Sequence, residues 1–149
     1  MDINKYHFFM KKTLNRDSIL LILDWCCNKF KKSKHRNVYP KLRVYKTSGM
    51  SITGFNDCGV RGTYCGGTIT VYLKSIDSVL QLCQTIIHEY KHYLLSEKEY
   101  EKIQTKYLKT GMTISEVTDI HPHEKKANNF EDKWGVICFN ELRNKLYKK

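Results

Sequence analysis

The chain has 149 residues, a formal net charge of +11 at pH 7, and 41% hydrophobic and 28% charged residues. These values are typical of one globular domain, here residues 1–149, and the absence of an 18-residue apolar run excludes a membrane-spanning helix. The N-terminus has no cleavable signal pattern, so we expect a cytoplasmic protein, with a viral or phage protein in its host as one case.

The six cysteines form no Cys-x-x-Cys pair, and several fall within predicted helices. We therefore expect reduced thiols rather than a disulfide framework. Cys58 and Cys65 would need further ligands, which the sequence does not pair with them, to form a second metal site. The basic residues are spread along the chain with one dense run at 29–36. This distribution favours a solvated basic surface and leaves nucleic acid open as a partner.

The first half of the chain predicts one helix followed by short strands. Asp17 and Ser18 are typical of a helix start, and apolar residues follow at helical spacing until a basic run that begins at Lys29. The alternation from Val38 to Tyr45 predicts a strand, and Gly66-Gly67 predicts a hairpin turn. Two more strands are predicted, over Ile52–Phe55 and over Thr68, Ile69, Thr70, Val71, Tyr72 and Leu73.

Three helices are predicted in the second half of the chain. The first begins near Ser78 and ends near Leu95, because apolar residues recur there at spacings of three and four. A capping box at Ser96 begins a second, charged helix, and residues 113–120 after it are predicted to be irregular. The third helix begins at Pro122, a residue that suits the first helical turn. Its predicted apolar stripe consists of Ala127, Phe130, Trp134, Ile137, Cys138 and Leu142.

The first of these helices contains the motif His88-Glu89-x-x-His92. Residues four apart lie on one helical face, so His88 and His92 direct two imidazoles at one ion. Glu89 lies beside them, within reach of a water on that ion rather than of the ion itself. In a zinc peptidase this arrangement holds the metal and activates the water. The motif therefore predicts one zinc ion per chain, with Glu89 as the general base.

A catalytic zinc ion usually takes three protein ligands, so one more residue must come from elsewhere in the chain. Metzincins place a glycine and a third histidine at the positions of Leu95 and Lys98, which excludes that class. The final helix offers Glu124, which shares a helical face with Asn128. We predict Glu124 as the ligand and Asn128 as the side chain that orients a ligating histidine. The alternatives for the third ligand are His121, His123 and Glu131.

The two clusters together resemble the gluzincin pattern: His88-Glu89-x-x-His92 is followed by Glu124-x-x-Ala127-Asn128-x-Phe130. More narrowly, they resemble minigluzincins and the ImmA/IrrE-like peptidase domains. The resemblance covers about residues 60–140. It implies an α+β, zincin-like domain with an N-terminal helix, a short twisted and mostly antiparallel sheet, the motif helix and a C-terminal glutamate helix.

The same resemblance implies a role for each site residue. His88, His92 and Glu124 would bind zinc, and Glu89 would be the general base. Asn128 would take an orienting position that is often Asp in the family. The chain shows no helix-turn-helix of the kind that would connect it to gene regulation.

These features predict a zinc metallopeptidase whose partner is a peptide or protein substrate. An extended substrate would pair with an edge strand, for which we predict Thr68–Tyr72. The candidate donors to the oxyanion of the reaction are Tyr64, His121 and His123. We expect a monomer without a membrane partner.

Two other functions are compatible with the sequence. One is a zinc-bearing structural or interaction module with little turnover, for example in a phage particle; small size and the lack of an accessory domain favour it. The other is a DNA-associated protease similar to the SprT-type enzymes, which only the basic charge favours. The presence of Glu89 favours catalysis, because a scaffold does not need that carboxylate.

Overall fold

The computed structural model describes residues 14–46 and 60–147. This part of the chain is α+β, which confirms the predicted fold class. The predicted strand at Ile52–Phe55 lies outside the described residues. The helices are α1 (Arg16–Phe30), α2 (Val79–Leu94), α3 (Glu97–Leu108), α4 (Ile114–Ile120) and α5 (Pro122–Leu146). The strands are β1 (Lys41–Tyr45), β2 (Gly62–Cys65) and β3 (Thr68–Tyr72), followed by a 3₁₀ turn at Leu73–Ser75.

Side-chain caps set the helix starts close to the predicted residues. The hydroxyl of Ser78 accepts a hydrogen bond from the backbone N–H of Gln81 at 3.0 Å, so α2 begins where expected. Ser96 caps α3 in the same way. The helix α1 begins two or three residues earlier than predicted, because Asn15 is its cap and accepts from the N–H of Ser18 at 2.9 Å. Short polar side chains satisfy N–H groups that would otherwise lack a helical partner.

The segment after α3 is helical rather than irregular, so the prediction for residues 113–120 is wrong. Thr113 accepts a hydrogen bond from the backbone N–H of Glu116 at 3.2 Å and begins α4. The Thr113-x-x-Glu116 spacing is a capping box that the sequence prediction overlooked. Val117 is the buried residue of α4 and anchors this short helix to the body of the domain.

The sheet has the strand order β1-β3-β2. It is mixed rather than mostly antiparallel, because β1 is parallel to β3 while β2 and β3 form the predicted hairpin. The strand Thr68–Tyr72 is therefore central, and its prediction as the edge strand is wrong. Its three middle residues Ile69, Thr70 and Val71 are all buried, as expected for a strand with neighbours on both sides.

The helix α2 is the centre of the domain and packs against α5, α1 and the sheet. A Cβ atom added to Gly135 of α5 would lie 2.5 Å from Cγ of Gln84, so a larger residue there would require the Gln84 side chain to move. In the predicted stripe of α5, Ile137 is 36% exposed, and its assignment to the core is wrong. The buried members of that stripe are Ala127, Cys138 and Leu142.

Among the described residues, no helix has both the length and the apolar character needed to cross a membrane. The cysteines at 26, 27, 65, 83 and 138 are free thiols, in agreement with the prediction for these five. Cys58 lies outside the described residues, and the predicted alternative of a second metal site with Cys65 therefore stays untested.

Candidate metal centre

The fold brings three metal-ligating side chains together between α2 and α5. The Nε2 atom of His88 lies 3.2 Å from Oε2 of Glu124, and Nε2 of His92 lies 3.2 Å from Oε1 of the same carboxylate. The donor atoms of the three residues all lie within 4.8 Å of one another. This group can hold a metal ion, and it contains the residue that the sequence predicted as the third ligand.

Two of the donor-atom distances can be compared with those around a tetrahedral metal ion. Two ligand atoms bonded to tetrahedral zinc at 2.0–2.1 Å are about 3.3 Å apart. The two nitrogen–oxygen distances of 3.2 Å between the imidazoles and Glu124 are close to that value. Each imidazole is therefore already at ligand spacing from one oxygen of Glu124.

The carboxylate of Glu131 orients His88. Its Oε1 atom lies 2.9 Å from Nδ1 of His88, which leaves the Nε2 atom of that ring directed at the metal position. A carboxylate in this place fixes the tautomer of a ligating histidine and increases its basicity. The sequence prediction gave this role to Asn128, which is exposed and makes no hydrogen bond to the ligands within the described residues, so that prediction is wrong. Glu131 was predicted only as an alternative ligand.

The helical repeat explains the exchange of roles between Asn128 and Glu131. Glu131 lies seven residues beyond Glu124, which is nearly two full turns, so both carboxylates lie on the same face of α5. Asn128, four residues beyond Glu124, is rotated by about 40° to the other side of that face. The heptad spacing was visible in the sequence, but the direction in which α2 crosses α5 was not.

The metal-free site is a network of charged hydrogen bonds. Burial alone would lower the pKa of His88, but hydrogen bonds to Glu124 and Glu131 outweigh it and raise that pKa to about 10. Burial alone would raise the pKa of Glu124, but its hydrogen bonds to His88 and His92 hold that pKa well below its usual range. A proton shared by this network therefore takes the place that a cation would occupy.

Glu89 lies on the other side of the histidine pair, facing β2. It is only 7% exposed, and a Cβ atom added to Gly62 of β2 would lie 3.3 Å from its Cγ. Burial raises the pKa of Glu89, although the positive charge of His88 and His92 opposes this effect. A carboxylate whose pKa is raised toward neutrality is suited to accept and return a proton.

The two histidines before Glu124 do not join the ligand group, so neither is the third ligand. His121 is fully buried: its Nδ1 accepts a hydrogen bond from the N–H of His123 at 3.0 Å, and its Nε2 lies 3.0 Å from the carbonyl oxygen of Tyr100. His123 is 2% exposed, and its nearest charged partner is Glu99 at 3.8 Å. Both rings are structural neighbours of the site.

Tyr64, the third candidate donor, lies on β2 with its ring edge-on against Tyr93, at 6.1 Å between centroids. Burial raises the pKa of Tyr64, and its nearest charges belong to Glu97 and Arg36. Within the described ranges no hydrogen bond joins Tyr64 to the metal-ligating side chains. The structure therefore does not bring it together with them.

A hydroxyl that the sequence prediction missed does reach the ligands. Tyr100, in the first turns of α3, donates a hydrogen bond to Oε1 of Glu124 at 3.1 Å. Its ring also lies edge-on to His92, with 5.7 Å between centroids. In the sequence it was part of the charged helix that begins after Ser96, and only the fold of α3 against α5 reveals its position.

Comparison of the chain with protein-family models, with curated proteins and with solved structures finds no match. Its function is therefore inferred from the chemistry of its own side chains.

Proposed function

We propose that this protein is a zinc-dependent metallopeptidase. The observation that supports this most strongly is the convergence of His88, His92 and Glu124, whose donor atoms lie within 4.8 Å of one another, with the buried carboxylate of Glu89 beside them. Three protein ligands with one position left for solvent or substrate are typical of catalytic zinc.

The chemistry of the donors favours zinc. Two imidazole nitrogens and one carboxylate oxygen form the ligand set of known zinc hydrolases. The same three residue types also bind iron in oxygenases, but that chemistry requires no proton acceptor next to the ligands. The buried Glu89, with its raised pKa, is the feature that distinguishes hydrolysis from that alternative.

In the proposed reaction the bound zinc would polarise the peptide carbonyl and acidify the attacking water. Glu89 accepts a proton from that water while the water oxygen forms a bond to the carbonyl carbon. Glu89 then delivers the same proton to the amine nitrogen as the carbon–nitrogen bond breaks. Its position between Gly62 and the imidazoles restricts access of bulk water to this proton.

The strand β2 replaces Thr68–Tyr72 as the proposed substrate-binding edge. Among the described strands it is the outer one on the Glu89 side of the sheet, and a Cβ atom on Gly62 at its start would lie 3.3 Å from Cγ of Glu89. An extended peptide that paired with β2 would lie along the metal centre. The absence of a side chain at Gly62 lets the strand approach Glu89 this closely.

Catalysis explains the site better than a purely structural metal centre does. Burying a carboxylate is costly unless it is paired, so a buried carboxylate kept beside a metal site is best explained by a role in catalysis. Glu89 is buried, yet the two histidines use Glu124 and Glu131 as their hydrogen-bond partners. A DNA-associated role stays a prediction from the basic charge.

The test is a comparison of the wild type with Glu89→Gln, using Glu101→Gln, an exposed change on α3, as the matched control. Each purified protein is assayed for bound zinc and for cleavage of a broad peptide library. We expect one zinc per chain in all three proteins and a loss of about 10³-fold in cleavage for Glu89→Gln alone.

Two results would contradict the proposal. If the wild type bound zinc but cleaved no peptide in the library, the protein would be a structural module. Loss of zinc from Glu89→Gln would show that Glu89 is a ligand rather than the base.

A further inference from the structure

The rings of Tyr100 and His121 are stacked beside the metal centre. Their centroids are 3.9 Å apart and their planes differ by 17°. His121 is fully buried, and its Nε2 lies 3.0 Å from the backbone carbonyl oxygen of Tyr100. The same tyrosine is thus held by its ring and by its backbone.

The hydrogen bonds of His121 determine its tautomer. Its Nδ1 accepts from the backbone N–H of His123, so that nitrogen carries no proton. In a neutral imidazole the proton is then on Nε2, which donates to the carbonyl of Tyr100. His121 therefore acts both as the cap of α5 and as an anchor for α3.

This anchor matters because α3 has little packing of its own. None of its residues is buried, and three of its side chains reach the rest of the domain through polar contacts. One of them is Glu99, whose carboxylate lies 3.8 Å from Nε2 of His123. Glu97 bonds to Arg36 and to the N–H of Gly66, and Tyr100 bonds to Glu124. The position of the Tyr100 hydroxyl thus depends on His121 rather than on a hydrophobic core.

The hydroxyl of Tyr100 acts on a side chain whose own torsional preference is weak. The terminal torsion of a glutamate has a broad energy minimum. In the metal-free protein the imidazoles hold the carboxylate of Glu124, but a metal ion requires their nitrogen lone pairs and ends that donation. The hydrogen bond from Tyr100 to Oε1 is then the contact that still orients the carboxylate.

We propose that Tyr100 and His121 are positioning residues of the metal centre: His121 fixes Tyr100, and the Tyr100 hydroxyl fixes Glu124. This inference rests on the proposed metal site but not on the peptidase reaction. It assigns to the exposed helix α3 a part in metal binding.

The experiment measures zinc affinity by chelator competition for Tyr100→Phe, His121→Asn and the double variant. Tyr100→Phe keeps the ring and removes only the hydroxyl. His121→Asn keeps a side-chain acceptor for the N–H of His123, so α5 stays capped, but it removes the stacked ring. The matched control is Tyr107→Phe, which removes a hydroxyl from the same helix.

We expect zinc affinity to fall by about 10- to 100-fold in each single variant and to stay unchanged in the control. Since His121 acts through Tyr100, the double variant should bind zinc no more weakly than the weaker single variant. Circular dichroism and thermal unfolding report whether His121→Asn folds, and the Tyr100→Phe result decides the proposal if it does not.

Wild-type zinc affinity in Tyr100→Phe would overturn the proposal. Additive losses in the double variant would overturn the part assigned to His121. A wild-type chain that holds zinc but cleaves no peptide would overturn the proposed function while leaving this inference intact, and a chain that binds no zinc would overturn both.

Discussion

The two sides of the histidine pair hold glutamates in opposite electrostatic states. On the α5 side, hydrogen bonds from the imidazoles outweigh burial and lower the pKa of Glu124. On the β2 side, burial is the largest influence and raises the pKa of Glu89. One residue type therefore serves as ligand and as base in one site, because its surroundings differ.

The difference originates in the elements that present each carboxylate. Glu124 lies in the first turn of α5, where the helix dipole favours a negative charge, and its oxygens face two nitrogen donors. Glu89 lies on a side of α2 that faces Gly62 of β2, and burial there is the main influence on its carboxylate. The comparison predicts that changes on the α5 side affect metal binding, whereas changes on the β2 side affect catalysis.

The largest expected effect is on the α5 side. Glu124→Ala removes one of three ligands and the partner of both imidazoles, so we expect zinc affinity to fall by more than about 100-fold. Measured by chelator competition, an affinity near that of the wild type would show that another residue is the third ligand. His121→Ala and His123→Ala are then the variants to measure.

A smaller loss is expected for Glu131→Ala, with Asn128→Ala as the matched control on the same helix. Without Glu131 the His88 ring loses the partner of its Nδ1, and zinc affinity should fall by about 10- to 100-fold. The Asn128 side chain is exposed, so its removal should leave zinc affinity unchanged. If Asn128→Ala lowered zinc affinity more than Glu131→Ala did, the orienting role would belong to Asn128, as the sequence predicted.

On the β2 side, Gly62→Ala should lower cleavage by about 10-fold while zinc affinity is retained. The added Cβ would lie 2.8 Å from Cγ2 of Thr85 and 3.1 Å from the carbonyl oxygen of Thr70, so strand or helix must shift near Glu89. Adding Thr85→Ser removes the Cγ2 atom and keeps the hydroxyl that donates to Gln81, so the double variant should regain part of the activity. If Gly62→Ala lost zinc, the assignment of metal binding to the α5 side and of catalysis to the β2 side would be wrong.

The smallest effect concerns the pH dependence of stability without metal. The pKa of His88 is about 10 in the folded protein and about 6.5 in an unfolded chain. Its contribution is therefore complete below pH 6.5 and is lost as the pH rises toward 10.

Thermal unfolding of the chelator-treated protein between pH 6 and pH 10 measures this loss. His88→Ala should show a weaker decline over the same range. Zinc should remove the decline in the wild type, because the ion binds the deprotonated ring. A metal-free melting temperature that rose with pH would contradict the charged network.

Local patterns explain which parts of this protein were predictable. The motif helix depends on the cap at Ser78 and on apolar spacing, and α5 begins with a proline at its first position, Pro122. Each of these signals spans only a few residues. The helix α4 followed the same rules at Thr113 and was missed only because its capping box was not recognised. The candidate ligands were predictable since metal chemistry limits the third ligand to few residue types.

The sequence by itself determined the helices, the hairpin and the residues able to bind a metal ion, because these depend on spacing along the chain. Only the tertiary structure decided the central place of β3, the orienting role of Glu131 and the reach of Tyr100 to Glu124. Those features depend on how close and at what angle α2, α3 and α5 pack. A glycine at 135 permits the approach, but the rotation of each helix is settled by the packing of the whole core.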